Sequence, residues 1–178
     1  MPRLFTGLEI PGHLAEELSR LRGGLSGATW IDSENYHITL RFIGDIDRAT
    51  ADDVLASLAQ IRHAAFAVTL DQLDIFGGDK PRAIIARARA VPALVELQAA
   101  HERLVRRIGI APATQKFTPH VTLARLRQSS PLAVADYLAG RGLFATRCFE
   151  AKRFVLYSSR DAHGGGPYRI EAEYPLAG

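Results

Sequence analysis

The sequence is poor in sulfur, with one cysteine (Cys148) and one methionine in 178 residues. A single cysteine excludes an internal disulfide and leaves no thiolate cluster for zinc, so Cys148 is expected to fill core space. No apolar run nears the roughly 18 residues that a membrane-spanning helix needs. The start, "MPRLFTGLEI", has no apolar h-region or cleavage site of a secretory leader. A soluble cytoplasmic protein with no membrane partner is the expectation. Linkers rich in Pro or Ser and low-complexity tracts are missing as well. Lysine is scarce: Lys80, Lys116 and Lys152 stand among 22 basic residues, and the rest are arginine. The planar guanidinium suits phosphate, although arginine-favouring codon usage in a GC-rich genome produces the same bias. The net charge of +3 permits a polyanionic partner without demanding one.

What is present is ordinary globular material, 47% hydrophobic and 23% charged, enough for one domain or two small lobes sharing a core. Residues 3–10 read as a strand and 11–25 as a helix opened by proline, with Leu14, Leu18 and Leu21 at helical spacing. A polar loop leads into a strand ending at residue 44. A helix is expected over 47–65 and strands over 66–76 and 82–90, joined across "GGDKP". Residues 92–109 carry the strongest helical periodicity. A strand over 118–126, a helix over 131–140 and strands over 147–158 and 167–175 complete the chain. The order is one supersecondary pattern written twice. It predicts an α+β fold of two similar lobes, with mixed or mostly antiparallel sheets and helices outside.

Two strands share a core that packing alone does not explain, "NYHITLRFIG" (35–44) and "TPHVTLARLR" (118–127). Residues i and i+2 of a strand face the same side. His37 therefore projects with Thr39, and His120 with Thr122, while Ile38, Leu40, Val121 and Leu123 turn to the core. With the motif strands facing across a groove between lobes, two imidazoles and two hydroxyls surround one site. One neutral and one protonated imidazole suit an in-line phosphoryl displacement without a metal, the first taking a proton and the second giving one. Hydroxyls donate to non-bridging phosphoryl oxygens. The spacing is not that of a helical zinc site, and neither a Gly-x-Ser-x-Gly elbow nor a Walker loop occurs.

The paired His-x-Thr signature resembles the 2H phosphoesterase superfamily. The whole chain resembles its RNA 2′,3′-cyclic phosphodiesterase branch, also called 2′-5′ RNA ligases. The resemblance runs through "RLFTGLEIP", Trp30, "ENYHITLRFIGD", "PRAIIA", "FTPHVTLAR", "LYSS" and "GPYRIEAEYPL". It implies a bilobal, pseudo-symmetric fold with two mostly antiparallel sheets facing a central cleft, spanning residues 1–178 as a single domain. It also implies metal-independent opening of RNA 2′,3′-cyclic phosphate ends to 2′-phosphates without a cofactor. His37 and His120 become the acid/base pair, His37 leaning to acid and His120 to base, with Thr39 and Thr122 as phosphate ligands. The partners implied are RNA ends or nucleotides bearing a 2′,3′-cyclic phosphate, and a monomer is the default. Alternatives are 2′-5′ ligation of tRNA halves in the same cleft, a non-catalytic RNA-binding protein, or hydrolysis of another small cyclic phosphate.

Two arginines compete as further phosphate contacts. Regular alternation places Arg41 on the face of His37. The resemblance favours Arg125, which needs a strand end or a bulge to reach the face of His120. Tyr168 is a candidate for base stacking. Phe42 and Phe117 are weaker ones, their expected fate being core packing. "HGGGP" (163–167) reads as a hairpin turn. His13, His63, His101 and the pair Arg106–Arg107 are expected to be incidental.

Overall fold

The computed structural model of the chain describes residues 3–141, 143–160 and 166–177. Among the described residues nine strands and four α-helices follow in the order β1 (Arg3–Glu9), α1 (Gly12–Ser19), β2 (Ala28–Trp30), β3 (His37–Gly44), α2 (Arg48–Leu58), β4 (Phe66–Phe76), β5 (Ala83–Ala88), α3 (Pro92–Arg107), β6 (His120–Leu126), α4 (Pro131–Gly140), β7 (Arg147–Ala151), β8 (Arg153–Ser159) and β9 (Tyr168–Pro175). The α+β class holds, and the strand pairs are all antiparallel. The first two helices stop short of the stretches expected for them. Gly23 and Gly24, at φ of 91° and 78°, take the chain out of helical conformation after α1, where only glycine sits without strain. After Leu58 the chain tightens into i→i+3 bonds, such as Ile61 N–H to Leu58 O at 3.2 Å, and leaves α2.

The strands run in the order β7-β4-β5-β6-β3-β1-β8-β9, with β2 also on β6. Two four-strand halves, β7-β4-β5-β6 and β3-β1-β8-β9, correspond to the two expected sheets. They are joined by one backbone pair, Ile38 with Val121. The motif strands therefore meet side by side at the junction.

The lobes are not the two halves of the sequence. β4 lies with β5 and β6, while β8 and β9 return to β1. The stretch 147–158, which reads as a single strand, divides at Lys152 because the chain there crosses from one lobe to the other. β7 pairs with β4, and β8 pairs with β1 and β9. Cys148 is exposed rather than in the core, because β7 is an edge strand and the cysteine turns outward beside Thr69.

Ile38, Val121 and Leu123 are fully or almost fully buried, as are Leu94, Leu97 and His101 of α3. They lie in one hydrophobic cluster that spans both lobes, with His101 turned in among them. This core supports the back of the junction and leaves the motif face free for chemistry.

Candidate active site

The antiparallel register at Ile38–Val121 runs His37 toward Thr122 and Thr39 toward His120. The four motif side chains are each half-buried on the face opposite the core. Each imidazole is held in the same way. His37 Nδ1–H donates to Asn35 O at 2.8 Å, and His120 Nδ1–H donates to Thr118 O at 2.6 Å. A carbonyl can only accept, so the neutral rings carry their proton on Nδ1 and keep Nε2 as the basic atom. His37 Nε2 accepts from the Thr39 hydroxyl at 2.9 Å.

Burial sets the charge of both rings. It lowers the pKa of His37 to about 4, against the opposing pull of the Asn35 carbonyl and with the neighbouring His120 adding to the decrease. Burial also lowers His120; the Thr118 carbonyl opposes this and the nearby Arg87 cation reinforces it. The walls account for the burial. Phe5, Tyr157 and Tyr168 stand 5.1, 5.3 and 5.1 Å from the His37 ring, and Phe76 meets His120 edge-on at 4.6 Å. Gly7 lets this cage close: a Cβ there would lie 2.8 Å from Ile38 O and 3.2 Å from the Tyr157 ring.

The two arginines change places relative to regular alternation. The β1–β3 register shifts between Thr6 and Gly7, so Leu40 and Arg41 both turn inward and Phe42 comes out on the face of His37. Arg41 is only 9% exposed. Its guanidinium bonds Glu102 of α3, Phe42 O and Ala111 O, which corrects the expectation that it projects beside His37. The β5–β6 register shifts in the same way between Ile84 and Ile85. Leu123 and Ala124 both turn inward, and Arg125 emerges, exposed, on the face of His120 and Thr122. Tyr168 is built into the wall of His37 and packs edge-on against Phe5, not on an open platform. Phe42 is the open aromatic, 64% exposed, while Phe117 is half-buried against the core.

Asn35, Phe5 and Tyr157 are site residues that sequence reasoning missed. Asn35 also accepts from the Tyr168 N–H at 3.3 Å, bracing two walls at once. Its trace is positional, two residues before His37 as Thr118 is before His120. Phe5 and Tyr157 had no local signal, since strand pairing alone brings them to His37. His101 takes no part in the site and is a core residue of α3, with Nδ1–H on Leu97 O at 2.8 Å. Residues 163–165 of the glycine turn lie outside the described residues. Among the described residues no three His, Cys, Asp or Glu side chains gather where they can hold a metal ion, and no helix is long and apolar enough to cross a membrane.

The model of the LigT-like phosphoesterase family matches twice in tandem, over residues 8–86 and 87–168. The chain belongs to that family. Each match holds one His-x-Thr motif, in keeping with the duplicated order of elements. An RNA 2′,3′-cyclic phosphodiesterase of Aeropyrum pernix is 34% identical over 116 residues, 62% of this chain and 66% of that protein. The protein of the same name from Aquifex aeolicus is 29% identical over 84% of this chain and 82% of its own length. The crystal structure of Escherichia coli LigT complexed with 3′-AMP superposes with a TM-score of 0.77 at 21% identity, covering 99% of each chain. The fold of this LigT-like chain is thus shared from end to end.

Proposed function

We propose that the protein hydrolyses 2′,3′-cyclic phosphate ends of RNA to 2′-phosphates by a two-histidine mechanism that uses no metal. One observation carries the reading: two imidazoles at one strand junction, each with Nδ1 on the carbonyl two residues back and Nε2 left as the working atom. The printed names of the relatives supply the substrate class.

Thr39, Thr122 and Arg125 hold the non-bridging phosphoryl oxygens by hydrogen bonds that strengthen as charge develops. His120 Nε2 takes a proton from water as the water oxygen bonds to phosphorus. The P–O3′ bond breaks, and His37 Nε2 gives its proton to the leaving 3′-oxygen. The product is a 2′-phosphate with a free 3′-hydroxyl, and solvent returns the histidines to their starting charges. The phosphate's own negative charge favours the proton that His37 needs.

The test uses a short RNA ending in a 2′,3′-cyclic phosphate with excess EDTA. Wild type is expected to release the 2′-phosphate, and His37→Ala or His120→Ala to lose about 10²–10⁴-fold in kcat. Turnover restored only by added metal would sink the mechanism. Replacing the 3′-oxygen by sulfur gives a leaving group that needs no acid. That substrate is expected to rescue His37→Ala and not His120→Ala; the opposite pattern reverses the two roles.

A further inference from the structure

Holding an imidazole by Nδ1 takes only a main-chain carbonyl. Asn35 O does so for His37, and Thr118 O does so for His120 from a residue whose side chain has different chemistry. The Asn35 amide is therefore not needed for that bond, yet the residue is only 9% exposed. Burying an amide is costly unless its polar atoms find partners, so the amide calls for an explanation of its own. Its placement starts in the one-turn 3₁₀ helix Ser33–Asn35. There the Asn35 N–H donates to Asp32 O at 2.9 Å, which fixes the main chain and leaves the side chain to reach β9.

The amide meets the chain where β9 begins. Its Oδ1 accepts from the Tyr168 N–H at 3.3 Å. Gly166 lies against the same amide so closely that a Cβ there would overlap it, and its φ of 95° is one that glycine takes without strain. Fixing the Tyr168 main chain fixes the origin of its ring. That ring stands edge-on to His37, with centroids 5.1 Å apart and planes at 85°, and it also meets Phe5 and Tyr157. The titratable groups around His37 are His120 of β6, Tyr157 of β8 and Tyr168 of β9. Glu9 of β1, cross-strand from His37, is tied to Arg153. The Asn35 side chain adds no charge to this set, so its influence on the ring runs through position.

We propose that the Asn35 side chain is a positioning residue for the proton donor: its amide seats the first residue of β9 so that the Tyr168 ring covers the edge of the His37 imidazole. One residue then holds the ring by its carbonyl and the cover by its side chain, and the orientation and hydration of His37 are set together. That the covered ring serves as a proton donor rests on the hydrolytic reading above; the link from amide to Tyr168 to His37 does not.

The experiment follows the ring protons of His37 and His120 by NMR across pH in the free protein, so it needs no turnover. Asn35→Ala is expected to admit water to the His37 edge and raise its midpoint from about 4 toward the ordinary value, by about one pH unit or more, with His120 moving less. Tyr168→Ala is expected to raise it as well. Asn35→Ala/Tyr168→Ala is expected to match Tyr168→Ala alone, because the amide acts through that ring. Gly166→Ala keeps Asn35 in the chain but displaces its amide; it is expected to shift His37 in the same direction, and it carries the test if Asn35→Ala does not fold. Unchanged His101 ring signals report an intact core in each variant. In turnover, Asn35→Ala is expected to move the kcat/KM optimum to higher pH and to lower kcat about tenfold at unchanged KM, since the amide is not a phosphate contact. A His37 midpoint that stays put in Asn35→Ala and Gly166→Ala, or shifts that add in the double variant, overturns the assignment. A shifted midpoint in a protein that hydrolyses no cyclic phosphate keeps the link to Tyr168 and overturns only the hydrolytic reading.

Discussion

Three aromatic rings around His37 keep its imidazole neutral, and neutral is the wrong state for an acid. Both catalytic rings are shifted below 6.5, His37 to about 4. In the free protein the state with one proton shared between them peaks below pH 6.5. The profile of kcat/KM is therefore expected to be bell-shaped with its maximum on the acid side of pH 6.5. Bound phosphate adds negative charge and raises both values, so the kcat profile should lie at higher pH. A kcat/KM optimum above pH 7 would contradict the burial argument. At this scale the sequence is informative about the chemistry itself. Two copies of His-x-Thr name the histidines and hydroxyls because a strand's period of two puts them on one face. The sequence does not name Phe5 or Tyr157, since nothing near His37 in the chain encodes which strands will lie beside it.

At the level of elements, the two bulges decide which arginine serves the site. Their trace is readable: the large buried apolar residues fall at 38, 40 and 43 and at 121, 123 and 126, stepping by two and then by three. Strict alternation misplaces Arg41 because it ignores that extra residue. Arg41 and Glu102 instead tie β3, α3 and the segment 111–113 together. Burial alone would raise the Glu102 carboxyl, yet bonds from Arg41, the Ala113 N–H and Arg106 hold it down to about 2. Arg41→Met leaves an acid without one of its three partners in a poorly solvated place. It is expected to cost about 2 kcal/mol in urea unfolding, with a raised KM because the same segment lines the cleft beside Thr39 and His120. Arg41→Met/Glu102→Leu is expected to recover much of the stability but not the KM. A KM that stays at the wild-type value in both variants would separate the ion pair from the cleft.

For the molecule as a whole, the element order and the α+β class were legible, and the lobe membership was not. Periodicity reports what each segment is but not which partner it finds, so 147–158 read as one strand although Lys152 divides it between lobes. Stability also belongs to this scale. His101 is fully buried against Phe154, and burial lowers its pKa to about 4 despite the Leu97 carbonyl. A depressed histidine stabilises the fold fully above pH 6.5, and that contribution drains away as pH falls toward 4. Between pH 7 and pH 5 the loss from His101 alone is expected to be about 2 kcal/mol, with His37 and His120 changing in the same direction. Urea unfolding at the two pH values, for wild type and His101→Leu, checks it; an equal pH dependence in both would remove His101 from the account.

The exchange of strands also bears on how the protein is made. β1 and β3 emerge from the ribosome well before β8 and β9, the strands that complete their sheet. Until they arrive, one long edge of the nascent chain stays unpaired, open to pairing with another chain. The His37 lobe therefore closes only once β8 and β9 have emerged, long after its own motif strand.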